Sequence, residues 1–177
     1  MKRTIKISKF TTTILTLAII FILYGYFCRV IEFNFFWESK SIGWSLLLIA
    51  GISYLADRIK IKKLQNNKTL FEKIGIGVTI LYLCVQIILL VIFPFTDAYA
   101  AATAHLAHNS VLKSEVGNIT EFRVIPTGNI QKKINAHGES GSATINLIVK
   151  GNKKFKDITI YVVKRVENPG WTVRKIK

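Results

Sequence analysis

The chain has 177 residues, 50% of them hydrophobic, and a formal net charge of +15. So apolar a composition excludes an average soluble domain. The charge calls for no nucleic-acid partner, because most basic residues up to Lys73 flank apolar runs, where they set membrane orientation.

Residues 10–28, FTTTILTLAIIFILYGYFC, form the first apolar run. At about 1.5 Å per residue it is long enough to cross a hydrocarbon core of about 30 Å. Its end, YGYFC, suits neither signal peptidase nor a lipoprotein cleavage motif, so the segment is expected to be retained. Residues 41–56, SIGWSLLLIAGISYLA, make a shorter span with Trp44 and Tyr54 near its ends, where interfacial aromatics belong. Residues 74–95, IGIGVTILYLCVQIILLVIFPF, make the third, in which Gln86 is the one strongly polar side chain. Such a group suits a hydrogen bond to a neighbouring helix.

The connections give an orientation. MKRTIKISK carries four positive charges and no negative one, and DRIKIKKLQNNKTLFEK between the second and third spans is strongly basic. Between the first two spans Arg29, Glu32, Glu38 and Lys40 cancel. Basic segments stay cytoplasmic, so the chain is expected to run in–out–in–out through the cell (inner) membrane. That divides it into a membrane region, 1–95, and a periplasmic or extracytoplasmic domain, 96–177. Ala98-Tyr99-Ala100 resembles a signal-peptidase site, but it follows an apolar run too long for a cleaved leader.

The outer domain opens with a helix. Thr96 or Asp97 supplies the N-cap, alanines follow, and Tyr99, Ala102 and Leu106 make a narrow apolar stripe. Asn109-Ser110 loosens or restarts the helix, and Gly117-Asn118 supplies the left-handed residue that ends it. From there the period becomes two. Strands are expected at 119–125, 130–136, 143–150, 155–165 and 171–177, with turns at PTGN, HGESGS, Gly151-Asn152 and ENPG. Short connections imply antiparallel neighbours, so the fold class is α+β. Three transmembrane helices precede a helix packed on an antiparallel meander of about five strands.

No catalytic constellation is present, with no Gly-x-Ser-x-Gly, phosphate loop or His-Glu-x-x-His. Glu139 in GESG reads as a solvated turn glutamate. His105 and His108 share a helix face, but a metal site needs another ligand, and His137 is the one other histidine. Cys28 and Cys84 are the only cysteines and lie within or at the ends of apolar runs, which argues against a disulfide framework or a thiolate metal site. No catalytic, cofactor or metal residue is therefore assigned, and no cofactor is expected.

The order of features in YAAATAHLAHNSVLKSEVG, GSATINLIVKGNKK and WTVRKI resembles the cytochrome oxidase assembly protein (Coa1) family, related in fold to the Tim21 domain. The resemblance covers about the last 80 residues. It implies an α+β domain on the outer side of an energy-transducing membrane, helping to assemble cytochrome c oxidase through protein contacts. Gly117, Gly151 and Trp171 are the matching positions, and the implied role of each is structural. The simplest members of that family have one anchor, against three spans here. The reading that follows is a membrane-anchored, non-enzymatic assembly or interaction factor. Its partners would be membrane lipid and a subunit of a membrane complex, with no nucleic acid. Two alternatives stand beside it: a component of an envelope or secretion machine, and a metal or haem chaperone using His105, His108 and His137.

Overall fold

The structure is a computed structural model that describes residues 7–135 and 138–177. The chain divides into two compact units, one up to Val85 and one from Gln86. The element order is α1 (Lys9–Val30), α2 (Ser39–Leu64), α3 (Leu70–Ile92), a 3-10 turn (Phe93–Phe95), α4 (Asp97–His108), α5 (Ser110–Val116), β1 (Ile119–Asn135), β2 (Gly138–Gly151), β3 (Phe155–Arg165) and β4 (Asn168–Ile176). The segments Lys9–Val30, Ser39–Leu64 and Leu70–Phe95 are each long and apolar enough to cross a membrane.

In the first unit α1 and α2 form an antiparallel pair. Ser8 caps α1 by accepting a hydrogen bond from the Thr11 backbone N–H at 3.1 Å. Thr11, Ala18 and Gly25 are buried on α1, and Gly43, Ala50 and Asp57 on α2, so each helix presents small residues at a spacing of seven. That spacing keeps one stripe of each helix against its neighbour, and small side chains let the backbones approach closely. The approach is tight: a Cβ on Gly25 would stand 2.5 Å from the Lys40 nitrogen, and one on Gly43 2.7 Å from the Ile22 side chain. At the other end Asp57 locks the pair. Its Oδ2 accepts from the Ser8 backbone N–H at 3.0 Å and from the Thr11 hydroxyl at 2.9 Å.

The helices outrun the apolar runs that predict them. The second expected span ends at 56, whereas α2 continues two turns through DRIKIKKL to Leu64. Hydropathy marks where a segment is apolar; the helix stops only where Asn66 takes a positive φ of 54° and the chain turns into α3. Around the connection between α1 and α2, Tyr26, Phe33, Phe35, Phe36 and Trp44 are exposed. Such a cluster is characteristic of the membrane–water boundary.

The second unit holds a four-stranded antiparallel sheet in the order β1-β2-β3-β4. Its covered face carries Ala143, Ile145, Leu147 and Val149 of β2 and Ile158, Ile160 and Val162 of β3. Ala98, Ala102 and Leu106 of α4, Leu112 and Val116 of α5, and Phe93 complete that core. Leu89 packs on it as well, so the last turns of α3 belong with the sheet. Thr96 is the N-cap of α4, accepting from the Tyr99 N–H, and Asn109 restarts the chain as α5 by accepting from the Leu112 N–H.

Four strands stand where about five are expected, because the first two expected strands are one. PTGN is no turn: β1 runs through it, with a register shift between the pairs Val124↔Leu147 and Gly128↔Ile145. Pro126 falls in this irregularity, where a missing donor costs the ladder nothing. The Asn146 side-chain amide donates to the Thr127 carbonyl at 2.6 Å, and a Cβ on Gly128 would meet the Thr144 oxygen at 2.5 Å. The expected turn HGESGS is also mostly strand, since Gly138 to Ser142 pair with Asn135 back to Gln131. Ala136, which ends the second expected strand, and His137 lie outside the described residues. Between β3 and β4 the turn is Val166-Glu167, so β4 begins at Asn168, three residues before the expected strand.

Candidate functional site

His105 and His108 lie exposed in the last turn of α4, and the His108 Nδ1 is 2.8 Å from the Ala104 carbonyl oxygen. His137 falls outside the described residues. Among the described residues no group of three or more His, Cys, Asp or Glu is placed to hold a metal ion. Cys28 is buried, with its thiol 3.6 Å from the Phe35 carbonyl, and Cys84 is exposed on α3.

Glu139 is not a solvated turn residue. It stands in β2, where Oε1 is 2.7 Å from the Lys132 ammonium of β1 and Oε2 is 2.5 Å from the Lys164 ammonium of β3. Those two hydrogen bonds hold its carboxyl down to about 2 and raise the Lys132 ammonium above its ordinary value. A carboxylate so engaged is no base at neutral pH. Glu121 behaves similarly: burial pushes its carboxyl up, but bonds to Arg123 and Lys150 outweigh it and the net shift is downward. Glu115 is lowered by its hydrogen bond to Lys156. Three acids of this unit are thus committed to cations of the same unit.

The three positions matched by the resemblance sit at close approaches. Gly117 ends α5 at a φ of +79°, and a Cβ there would stand 1.9 Å from the Asn152 Oδ1. A Cβ on Gly151 would stand 2.0 Å from the Val116 carbonyl oxygen. That oxygen accepts from the Lys153 N–H at 3.0 Å, and the Asn118 N–H donates to Asn152 Oδ1 at 2.9 Å. The two glycines therefore let the end of α5 press onto the β2–β3 connection. Trp171 of β4 lies across Gly141, where a Cβ would come 2.9 Å from the indole ring. A recess of about 200 Å³ beside it is lined by Thr96, Asp97, Ile130 and Lys132.

On the opposite face of the sheet, near the end of β4, basic side chains gather. Pairing puts Ser142 beside Val163, Thr144 beside Tyr161, and Tyr161 beside Lys175. A register shift between the pairs Tyr161↔Lys175 and Val162↔Val173 leaves Arg174 as an extra residue on β4. A shallow groove of about 510 Å³ results, with Tyr161 and the hydroxyls of Ser142 and Thr144 on its floor and Arg174, Lys175 and Lys177 along one side. Among the described residues no Asp or Glu side chain lines it, and β4 pairs with β3 at the edge of the sheet. Sequence reading missed this groove. The alternation of TIYVV and TVRKIK fixes which side chains share a face, but the extra Arg174 appears only once the strands are paired. No family model, curated protein or solved structure matches the chain. The chemistry the groove offers is three cations, an aromatic ring and two hydroxyls beside a strand edge.

Proposed function

We propose that the protein is a membrane-anchored, non-enzymatic assembly or interaction factor, whose sheet docks an acidic segment of a membrane-complex subunit. One observation carries this reading. The groove beside Tyr161 gathers Arg174, Lys175 and Lys177 with no Asp or Glu side chain in its lining among the described residues. The resemblance of the last 80 or so residues to the cytochrome oxidase assembly family makes an oxidase subunit the first partner to test. The distribution of basic residues supports a location in the cell (inner) membrane, with the N-terminus cytoplasmic and the sheet unit extracytoplasmic.

Co-purification from mild detergent tests the proposal. The wild-type chain is expected to retain an oxidase subunit that the charge-reversed R174E/K175E variant loses, and a deletion strain is expected to show reduced assembled oxidase. Recovery of the protein alone together with normal oxidase levels would sink the oxidase version. Retention of the same partner by the charge-reversed variant would sink the groove as the docking site.

A further inference from the structure

The connection between α2 and α3 joins two segments, Ser39–Leu64 and Leu70–Phe95, each long and apolar enough to cross a membrane, and between two crossings it meets the polar layer of a bilayer. Residues 57–73 contain six basic residues, Arg58, Lys60, Lys62, Lys63, Lys68 and Lys73, and two acidic ones, Asp57 and Glu72. Both acids are turned inward and already engaged. Asp57 accepts from the Ser8 N–H and the Thr11 hydroxyl. Glu72, 5% exposed, lies 2.5 Å from the Lys62 ammonium and 3.9 Å from the Arg58 guanidinium.

Four lysines remain. The Lys60 side chain is 79% exposed, with its ammonium 4.0 Å from Asp57 at the margin of an ion pair. Lys63, Lys68 and Lys73 are exposed, and among the described residues none has a carboxylate within 4 Å. Interleaved with them are Leu64, Leu70 and Phe71, at 81%, 63% and 83% exposure. Four exposed lysines within fourteen residues favour a shared anion, and three large exposed apolar side chains are unfavourable in water. A layer of anionic headgroups over acyl chains answers both: phosphates meet the ammonium groups while the apolar side chains enter the acyl boundary. We infer that the α2–α3 connection is an anionic-phospholipid binding surface, built from Lys60, Lys63, Lys68 and Lys73 around Leu64, Leu70 and Phe71. The inference rests on the helices crossing a bilayer and not on the identity of any protein partner.

Native mass spectrometry of the full chain tests it. The protein is held in mild detergent with equimolar phosphatidylglycerol and phosphatidylcholine, and the lipids it retains are counted. The wild type is expected to favour phosphatidylglycerol by at least about fivefold, the selectivity of a single lysine near an anionic surface. K60Q/K63Q/K68Q/K73Q should bring that ratio close to one, and K60R/K63R/K68R/K73R should keep it. Raising the salt to about 0.5 M should lower the wild-type ratio without any substitution. Control variant R174Q/K175Q, in the sheet groove, should leave it unchanged. Equal retention of the two lipids by the wild type would overturn the inference and leave an acidic protein segment as the occupant. A preference that survives the four glutamines would overturn it too.

Discussion

Glu139 shows how far a residue's chemistry lies from its sequence neighbours. GESG places glutamate between glycines and reads as a turn in water, yet one cation partner is 7 positions upstream and the other 25 downstream. Only the pairing of three strands brings Lys132, Glu139 and Lys164 together. The consequence is a pH dependence of definite sign. The folded carboxyl titrates near 2 against an ordinary value of 4.5. Its contribution to stability is therefore complete above about 4.5 and disappears as pH falls from there towards 2. Protonation leaves two ammonium groups facing each other across β2. The thermal midpoint of the purified full chain should fall across that window more steeply than that of E139Q, so that the two curves converge at low pH. The side chain is 30% exposed, so added salt should narrow the gap at neutral pH. Parallel curves for the two proteins would show that the ion pairs of Glu139 contribute nothing. Gly117 and Gly151 were more legible, because glycine after a helix and glycine before a turn have local meanings. That both serve the same contact was not, since they are 34 residues apart.

At the scale of elements, type and antiparallel neighbour order were readable, and register was not. Apolar length marks the three membrane helices, and alternation marks the covered faces of β2 and β3. Proline and glycine in PTGN promise a turn, yet β1 passes through as an irregularity because both flanks pair with β2. The seam between α1 and α2 went unread for a different reason. In an apolar run every residue looks equally suited to lipid, so the small residues at 11, 18 and 25 and at 43 and 50 carry no contrast in hydropathy. Their shared spacing of seven has meaning only once the helices are set antiparallel. Gly43→Leu should force the pair apart, since even a Cβ would meet the Ile22 backbone nitrogen at 2.8 Å. A cost of about 1–3 kcal/mol is expected, as for other overpacked interiors. Gly51→Leu on the same helix is the control, because nothing lies within 4 Å of its Cβ direction. Denaturation in mixed micelles reads both, and equal midpoints for the two variants would remove the seam as the basis of the pairing.

For the whole molecule, orientation turns on parity, meaning whether α2 crosses the membrane or stops partway. Its apolar run is the shortest of the three, so hydropathy alone leaves the matter weak. Pairing strengthens it. Thr11 stands beside Ser53 and Asp57 at one end of the seam, and Gly25 beside Lys40 at the other. Those 14 steps along α1 span about 21 Å at about 1.5 Å per residue. A helix bound to its neighbour over that length is expected to share its depth, which favours α2 recrossing whatever α1 crosses. The prediction is that an odd number of spans separates the sheet from the basic α2–α3 connection, with the connection cytoplasmic, as the excess of lysine there favours. Two single-cysteine reporters test the prediction in a chain carrying Cys84→Ser, with the buried Cys28 left in place. Asn67→Cys marks the basic connection and Val166→Cys the exposed β3–β4 turn. With a membrane-impermeant maleimide on intact cells, Val166→Cys should label at once and Asn67→Cys only after permeabilisation. Labelling of both from the outside would mean that an even number of spans separates them. The reverse pattern would mean that the charge asymmetry does not set the orientation, and the proposed docking groove would then face the cytoplasm.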